Sequence, residues 1–130
     1  KNLDRLARKI DGMVVDLPAP IVQLEETTLG VIAYGTTDMA MREALESLEQ
    51  KPSYLRLRSF PFHDEVESFI EDHEQILVIE QNQQGQMAQL LRMHFPQLAA
   101  RIRSATYFGG LPLSAGFVKD SIEQPRRVEA

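Results

Sequence analysis

The chain has 130 residues and a formal net charge of −5, with 43% hydrophobic and 25% charged residues, an ordinary balance for one globular domain that can bury its own core. The negative balance argues against nucleic acid as a partner, because such binding needs a basic footprint, and no apolar run approaches the roughly 20 residues of a membrane span. The absence of cysteine excludes disulfides, thiolate nucleophiles and cysteine-ligated iron–sulfur clusters in this segment, and it fits a reducing cytoplasm.

The first ten residues are basic but lack the apolar centre of a signal peptide. A start at Lys1 rather than Met is read as the beginning of a piece of something longer. Leu3, Leu6, Ala7 and Ile10 fall at helical spacing and predict a short opening helix that Gly12 ends. Leu17-Pro18-Ala19-Pro20 reads as an extended linker, since a residue before proline is biased away from helix. Ile21–Leu24 is a candidate short strand. Residues 1–24 are therefore expected to be an entering helix and linker, and residues 25–130 the domain itself.

Gly30–Tyr34 is a β-rich apolar run, expected to be buried on both faces. Gly35-Thr36-Thr37-Asp38 is a turn with helix-capping residues. Met41, Ala44, Leu45 and Leu48 then form one helical face, closed by Lys51-Pro52. Tyr54–Arg58 predicts a strand with Leu55 and Leu57 on one face and Tyr54, Arg56 and Arg58 on the other. After the Phe60-Pro61-Phe62 turn, Asp64 is expected to be an N-cap, with Glu67 completing a capping box and Val66, Phe69 and Ile70 facing inward.

Ile76–Arg92, ILVIEQNQQGQMAQLLR, is the most informative stretch. A buried strand is expected to end at Ile79, a polar crossing to run from Glu80 to Gln84, and Gly85 to open a helix with Met87, Leu90 and Leu91 on its apolar face. In such units, ligands and partner domains meet at the loop beyond the strand's carboxyl end. Pro96–Arg103 predicts a short helix or turn, Ala105–Phe108 a last strand, Gly109–Pro112 a loop, and Ser114 a cap on a closing helix with Phe117, Val118 and Ile122 inside. Strand and helix alternate about four times, which argues for an α/β fold with a mostly parallel sheet and helices on both faces.

Few side chains suggest chemistry. Gly35, Thr36 and Thr37 follow a strand and open a helix, where amides and hydroxyls can hold a phosphate or carboxylate. With no Walker lysine and no GxGxxG pattern, a tight turn plus cap is the plainer reading. Glu80, Asn82 and Gln86 cluster at the next strand-to-helix turn. Their open readings are hydrogen bonds to a neighbouring domain, a base or interfacial ion pair at Glu80, or solvated loop polarity. Arg56 and Arg58 share a strand face, either reaching an anion or partner carboxylate or snorkelling to solvent along an edge. His63, His73 and His94 lack ligand spacing, which argues against a metal site, and no Ser-His-Asp order suggests a hydrolase triad. On residues alone this is an α/β domain without its own active site.

A chain-long set of motifs goes further. Leu29–Thr37 followed by Arg42-Glu43-Ala44 resembles a run in the α subunit of 2-oxoacid:ferredoxin oxidoreductases, in which a strand, a Gly-Ser/Thr-Thr turn and a helix with Glu-Ala occur in order. Leu55–Arg58 with Phe60-Pro61-Phe62 resembles that family's next strand and turn, although the family usually has Pro-Phe-Pro there. Ile79-Glu80-Gln81-Asn82, then Gly85-Gln86 and Leu90-Leu91-Arg92, resembles its Glu-x-Asn…Gly-Gln segment. Tyr107–Pro112 is similar to its late loop, and Arg8-Lys9-Ile10 with Pro18-Ala19-Pro20 to its entering linker.

The resemblance implies a thiamine diphosphate-dependent enzyme. Such enzymes oxidatively decarboxylate a 2-oxoacid, transfer the acyl group to coenzyme A and pass electrons to ferredoxin. Two-subunit members suggest 2-oxoglutarate as the acid. It further implies that this piece is the carboxy-terminal, transketolase C-terminal-like domain: three layers around a five-stranded sheet with one antiparallel strand. Thiamine diphosphate, magnesium and any iron–sulfur cluster would sit on other domains or subunits, so no cofactor residue transfers to this chain. The partners implied are the amino-terminal domains of its own chain, the β subunit and, through the holoenzyme, ferredoxin. The expected role is assembly at an interface drawn from Gly35, Thr36, Thr37, Arg56, Arg58, Glu80, Asn82, Gly85 and Gln86. The alternatives are an anion- or coenzyme A-binding module at Thr36–Asp38, or the related domain of a transketolase or branched-chain 2-oxoacid dehydrogenase.

Overall fold

A computed structural model describes residues 16–107 and 113–123. The expected opening helix, the Gly109–Pro112 loop and the Gln124–Ala130 tail lie outside the described residues. Five strands form one sheet: β1 (Ile21–Gln23), β2 (Leu29–Tyr34), β3 (Ser53–Leu57), β4 (Gln75–Glu80) and β5 (Ile102–Thr106). Their spatial order is β1-β3-β2-β4-β5. All neighbours are parallel except β1, which runs antiparallel to β3 with Val22 opposite Leu55. The short strand read at Ile21–Leu24 therefore forms the sheet's edge.

The helices are α1 (Thr37–Ser47), α2 (Asp64–Glu71), α3 (Gln86–His94) and α4 (Ala115–Glu123), with a 3₁₀ turn at Pro96–Arg101. Alternation along the strands divides the core in two. On one face Val31, Ala33, Tyr54, Leu77, Ile79 and Ala105 pack against Met41, Ala44 and Leu45 of α1 and Val118 and Ile122 of α4. On the other, Ile32, Leu55, Ile76, Val78 and Ile102 pack against Val66, Phe69 and Ile70 of α2 and Ala88 and Leu91 of α3. Each Val, Leu, Ile, Phe or Met among them, fully buried, contributes about 1.5–3 kcal/mol. This is the three-layer α/β/α, transketolase C-terminal-like architecture expected from the sequence.

Several local readings shift. Helix α2 begins one residue earlier than a cap at Asp64 requires: His63 is the N-cap residue and no side chain caps the helix. The His63 ring instead meets the Leu17 carbonyl at 3.1 Å, tying the entering segment to the domain. The buried face of α3 is Ala88 and Leu91, with Met87 and Leu90 at its margins. Strand β5 starts three residues before the expected Ala105, because buried Ile102 pairs with Ile76 and only the preceding six residues coil. Arg56 does not lie at a sheet edge, since Ile21 of β1 pairs with it.

The chain leaves β2 towards β3 on one side and returns across it to β4 on the other. The switch point of the sheet therefore lies between the carboxyl ends of β2 and β4, where crossovers diverge and a crevice opens.

Candidate functional site at the carboxyl edge of the sheet

Glu80 is the last residue of β4 and is fully buried. Period-two alternation places it on the face of Ile76 and Val78, the face that α3 covers. The same alternation brings Tyr34 from β2 and Ser104 from β5 to that face. Gly85 holds the turn with φ +62°, a left-handed conformation natural to glycine. A Cβ there would stand 2.8 Å from Ser104 Oγ.

The result is a carboxylate wrapped by donors. Met87 N–H donates to Glu80 Oε1 at 2.6 Å and Ala88 N–H to Oε2 at 3.0 Å. Asn82 Nδ2 reaches Oε1 at 3.0 Å and Ser104 Oγ reaches Oε2 at 3.2 Å. The Tyr34 hydroxyl donates to Oε1 over a longer 3.4 Å. Asn82 Oδ1 accepts from Gln84 N–H at 3.2 Å and Gln86 N–H at 3.1 Å. Glu80 and Asn82 thus satisfy the free amides of the first three residues of α3 and place negative charge at the positive end of its dipole. Neither solvated loop polarity nor an ion pair with arginine describes Glu80. Burial, then the charge and hydrogen bond of Glu80, push the Tyr34 phenol above its ordinary range, and the Asn82 amide acts in the opposite direction.

A second network lies under α1. Asp38, buried in its first turn, accepts from the Tyr54 hydroxyl at 2.7 Å and pairs with Arg42 at 3.1 Å and Arg56 at 3.5 Å. Burial, followed by the Asp38 hydrogen bond and charge, drives the Tyr54 phenol far upward; Arg56 and Arg42 offset part of this. Thr36 and Thr37 do not cap α1 with their side chains. Their hydroxyls accept from Gln81 Nε2 at 3.1 and 3.3 Å, linking the β2 and β4 turns across the switch point.

All nine candidate residues therefore lie at one edge of the sheet, in three groups. Glu80, Asn82, Gly85 and Gln86 build the start of α3. Thr36 and Thr37 bridge to it through Gln81. Gly35, Arg56 and Arg58 line a neighbouring open cleft of about 510 Å³, together with Pro18, Tyr34, Leu57, Ser59, Phe60 and Met87. Asp38, Tyr54, Tyr34 and Ser104 escaped sequence reading as members of these networks. The signal for Tyr34 and Glu80 was present in the alternation of their strands.

The chain has no cysteine, and among the described residues no group of three or more His, Asp or Glu could hold a metal ion. No helix among them is long and apolar enough to cross a membrane.

No family model matches the chain. Over 74 residues, 53% of its length, it is 34% identical to subunit alpha of 2-oxoacid:ferredoxin oxidoreductase 2 from Aeropyrum pernix, of which it spans 12%. Among solved structures, 95% of the chain matches 23% of a chain of 2-oxoglutarate:ferredoxin oxidoreductase from Magnetococcus marinus, with a TM-score of 0.74 and 22% identity. That structure holds 2-oxoglutarate, coenzyme A and succinyl-CoA. The first likeness makes the chain homologous in sequence to part of a 2-oxoacid:ferredoxin oxidoreductase α subunit, and the second agrees with it in fold.

Proposed function

We propose that the chain is the carboxy-terminal domain of the α subunit of a thiamine diphosphate-dependent 2-oxoacid:ferredoxin oxidoreductase, and that it serves assembly rather than chemistry. In this reading the domain begins earlier than the expected residue 25, because β1 (Ile21–Gln23) is a strand of its sheet, and the residues ahead of β1 lead into it. The enzyme is cytoplasmic and converts a 2-oxoacid to its acyl-CoA, with thiamine diphosphate, magnesium and iron–sulfur clusters on other domains or subunits. The domain packs on the amino-terminal domains of its own chain and on the β subunit, and ferredoxin meets the holoenzyme elsewhere.

The observation that carries the reading is the commitment of Glu80. The most chemically capable side chain at the switch point is buried and holds the start of α3, so it has no free face to offer a substrate. Exposed amides and hydroxyls remain at the rim: Thr36, Gln81, Gln83, Gln84 and Gln86. Such a polar rim suits a contact between domains. Coenzyme A at the start of α1 has less support, because the Asp38 carboxylate lies in that turn and already takes Arg42 and Arg56 as partners.

The test is made in the full-length α subunit co-expressed with β. Gln83→Lys and Gln86→Lys change exposed side chains at this rim. The expected result is a shift of the complex to lower mass by mass photometry, with the circular dichroism of the α subunit unchanged. An undisturbed complex with full activity would remove the assembly reading.

A further inference from the structure

The Gly35–Arg56–Arg58 cleft has a charge at odds with the chain around it. The whole sequence carries −5, yet among the described residues the cleft is lined by two arginines and no carboxylate. Arg56 is underpaired. Its Nε is buried without an acceptor, and its contact with Asp38, at 3.5 Å, exceeds the roughly 2.7–2.9 Å of a charge-assisted hydrogen bond. Its side chain remains 37% exposed and so within reach. Arg58 is exposed, and its Nε donates to the Ala19 carbonyl at 2.7 Å, which fixes the stem and aims the head. Exposed Phe60 and half-buried Met87 supply apolar walls. Arginine, aromatic and methionine side chains together are the composition of an interface centre rather than of ordinary surface.

We propose that this cleft is a socket for an aspartate or glutamate side chain of another domain or subunit of the same enzyme, held by Arg56 and Arg58. The proposal rests on the assembly reading and specifies its chemistry. A carboxylate seated there accepts from the solvent-facing part of the Arg56 guanidinium and from Arg58, in the planar geometry a guanidinium favours. The open shape and its border on the exposed turn at Gly35–Thr36 suit an inserted loop better than an enclosed small molecule.

The test uses the assembled full-length enzyme carrying Arg58→Lys, which keeps the charge and introduces an amine. A carbodiimide condenses an amine with a carboxylate in contact, losing the elements of water to the reagent. The expected product, read by mass spectrometry, is a peptide containing position 58 joined to an Asp or Glu outside residues 1–130. In a second variant, Arg56→Gln with Arg58→Gln, the sodium chloride concentration that separates the subunits should fall. A link from position 58 only to carboxylates inside this chain segment, or none, overturns the proposal. So does protection of Arg56 and Arg58 from phenylglyoxal by free succinate without any such link, which would mark a small-molecule site. Dissociation of the Gln83→Lys and Gln86→Lys enzymes with no link from position 58 overturns the socket alone. An unchanged mass in those enzymes together with no link overturns both readings.

Discussion

Replacing Glu80 with glutamine tests the capping network with little change of shape. Glutamine offers one oxygen and one NH₂ group where Glu80 offers two oxygens. The Ser104 hydroxyl can turn to accept, whereas the Asn82 amide cannot flip without losing the Gln84 and Gln86 N–H groups that donate to its oxygen. The backbone N–H groups of Met87 and Ala88, at 2.6 and 3.0 Å from the carboxylate, cannot reverse. One of them must face the new NH₂ and lose its acceptor in a buried site, at about 1–3 kcal/mol. Loss of the negative charge at the start of α3 adds about 0.3–1 kcal/mol. Glu80→Gln should therefore destabilise the chain by about 1–4 kcal/mol, which for this size lowers Tm by roughly 4–16 °C. Urea unfolding followed by circular dichroism gives the free energy, and native-state hydrogen exchange should show faster exchange at Met87 or Ala88. A change below about 0.5 kcal/mol, within the scatter of surface substitutions, with unaltered exchange at both amides, would refute the reasoning.

Two glycines provide a matched comparison. Gly85 and Gly35 share a positive φ, +62° and +63°, but a Cβ at Gly85 meets Ser104 Oγ at 2.8 Å whereas one at Gly35 meets nothing within 4 Å. Gly35→Ala should cost only the left-handed backbone penalty of about 1–2 kcal/mol; Gly85→Ala should cost more, and equal losses in chemical denaturation would count against the close approach. Alkaline pH gives a signed test. The Tyr54 phenol is raised in the folded state from its ordinary value of 10.0, so above that pH the unfolded chain loses its proton first. Stability is full below about pH 10 and falls as pH rises beyond it. Tyr54→Phe should flatten this decline in urea titrations; the raised phenol of Tyr34 retains a smaller part of it. An unchanged pH slope would refute the Tyr54 assignment.

Much of the fold was legible because it rests on local periodicity. The apolar run Gly30–Tyr34, the alternation Tyr54–Leu57 and the helical faces at Met41–Leu45 and Val66–Ile70 each bury as their spacing requires. Strand β5 was harder: the sequence around Ile102 continues a coiled segment, and its strand state is set by pairing with Ile76, distant in the chain. Two of the expected caps failed for the same reason, whereas Ser114 does cap α4, its Oγ accepting from Phe117 N–H at 3.2 Å. A local rule assigned the cap of α2 to Asp64, where His63 stands, and read Gly35–Asp38 as a capping turn for α1; Thr36 does hold that N-cap position but makes no side-chain bond there. The strongest cap in the structure comes instead from Glu80, seven and eight residues before the amides it serves. The polar crossing Glu80–Gln86 drew attention correctly, but only strand alternation shows that its first residue points into the core. The split between Glu80, facing α3, and the Asp38–Arg56 pair, facing α1, arises from the two faces of one sheet.

The most direct test of the central claim is the turnover of the full-length enzyme carrying Glu80→Gln, measured on the fraction that assembles with its partner subunit and divided by its concentration. If Glu80 acts only by holding the start of α3, kcat per assembled complex stays within about twofold of the parent value, whereas removing a general base would cost about 10²–10⁴-fold. A loss of that size in a fully assembled complex would place chemistry in this domain and contradict the account.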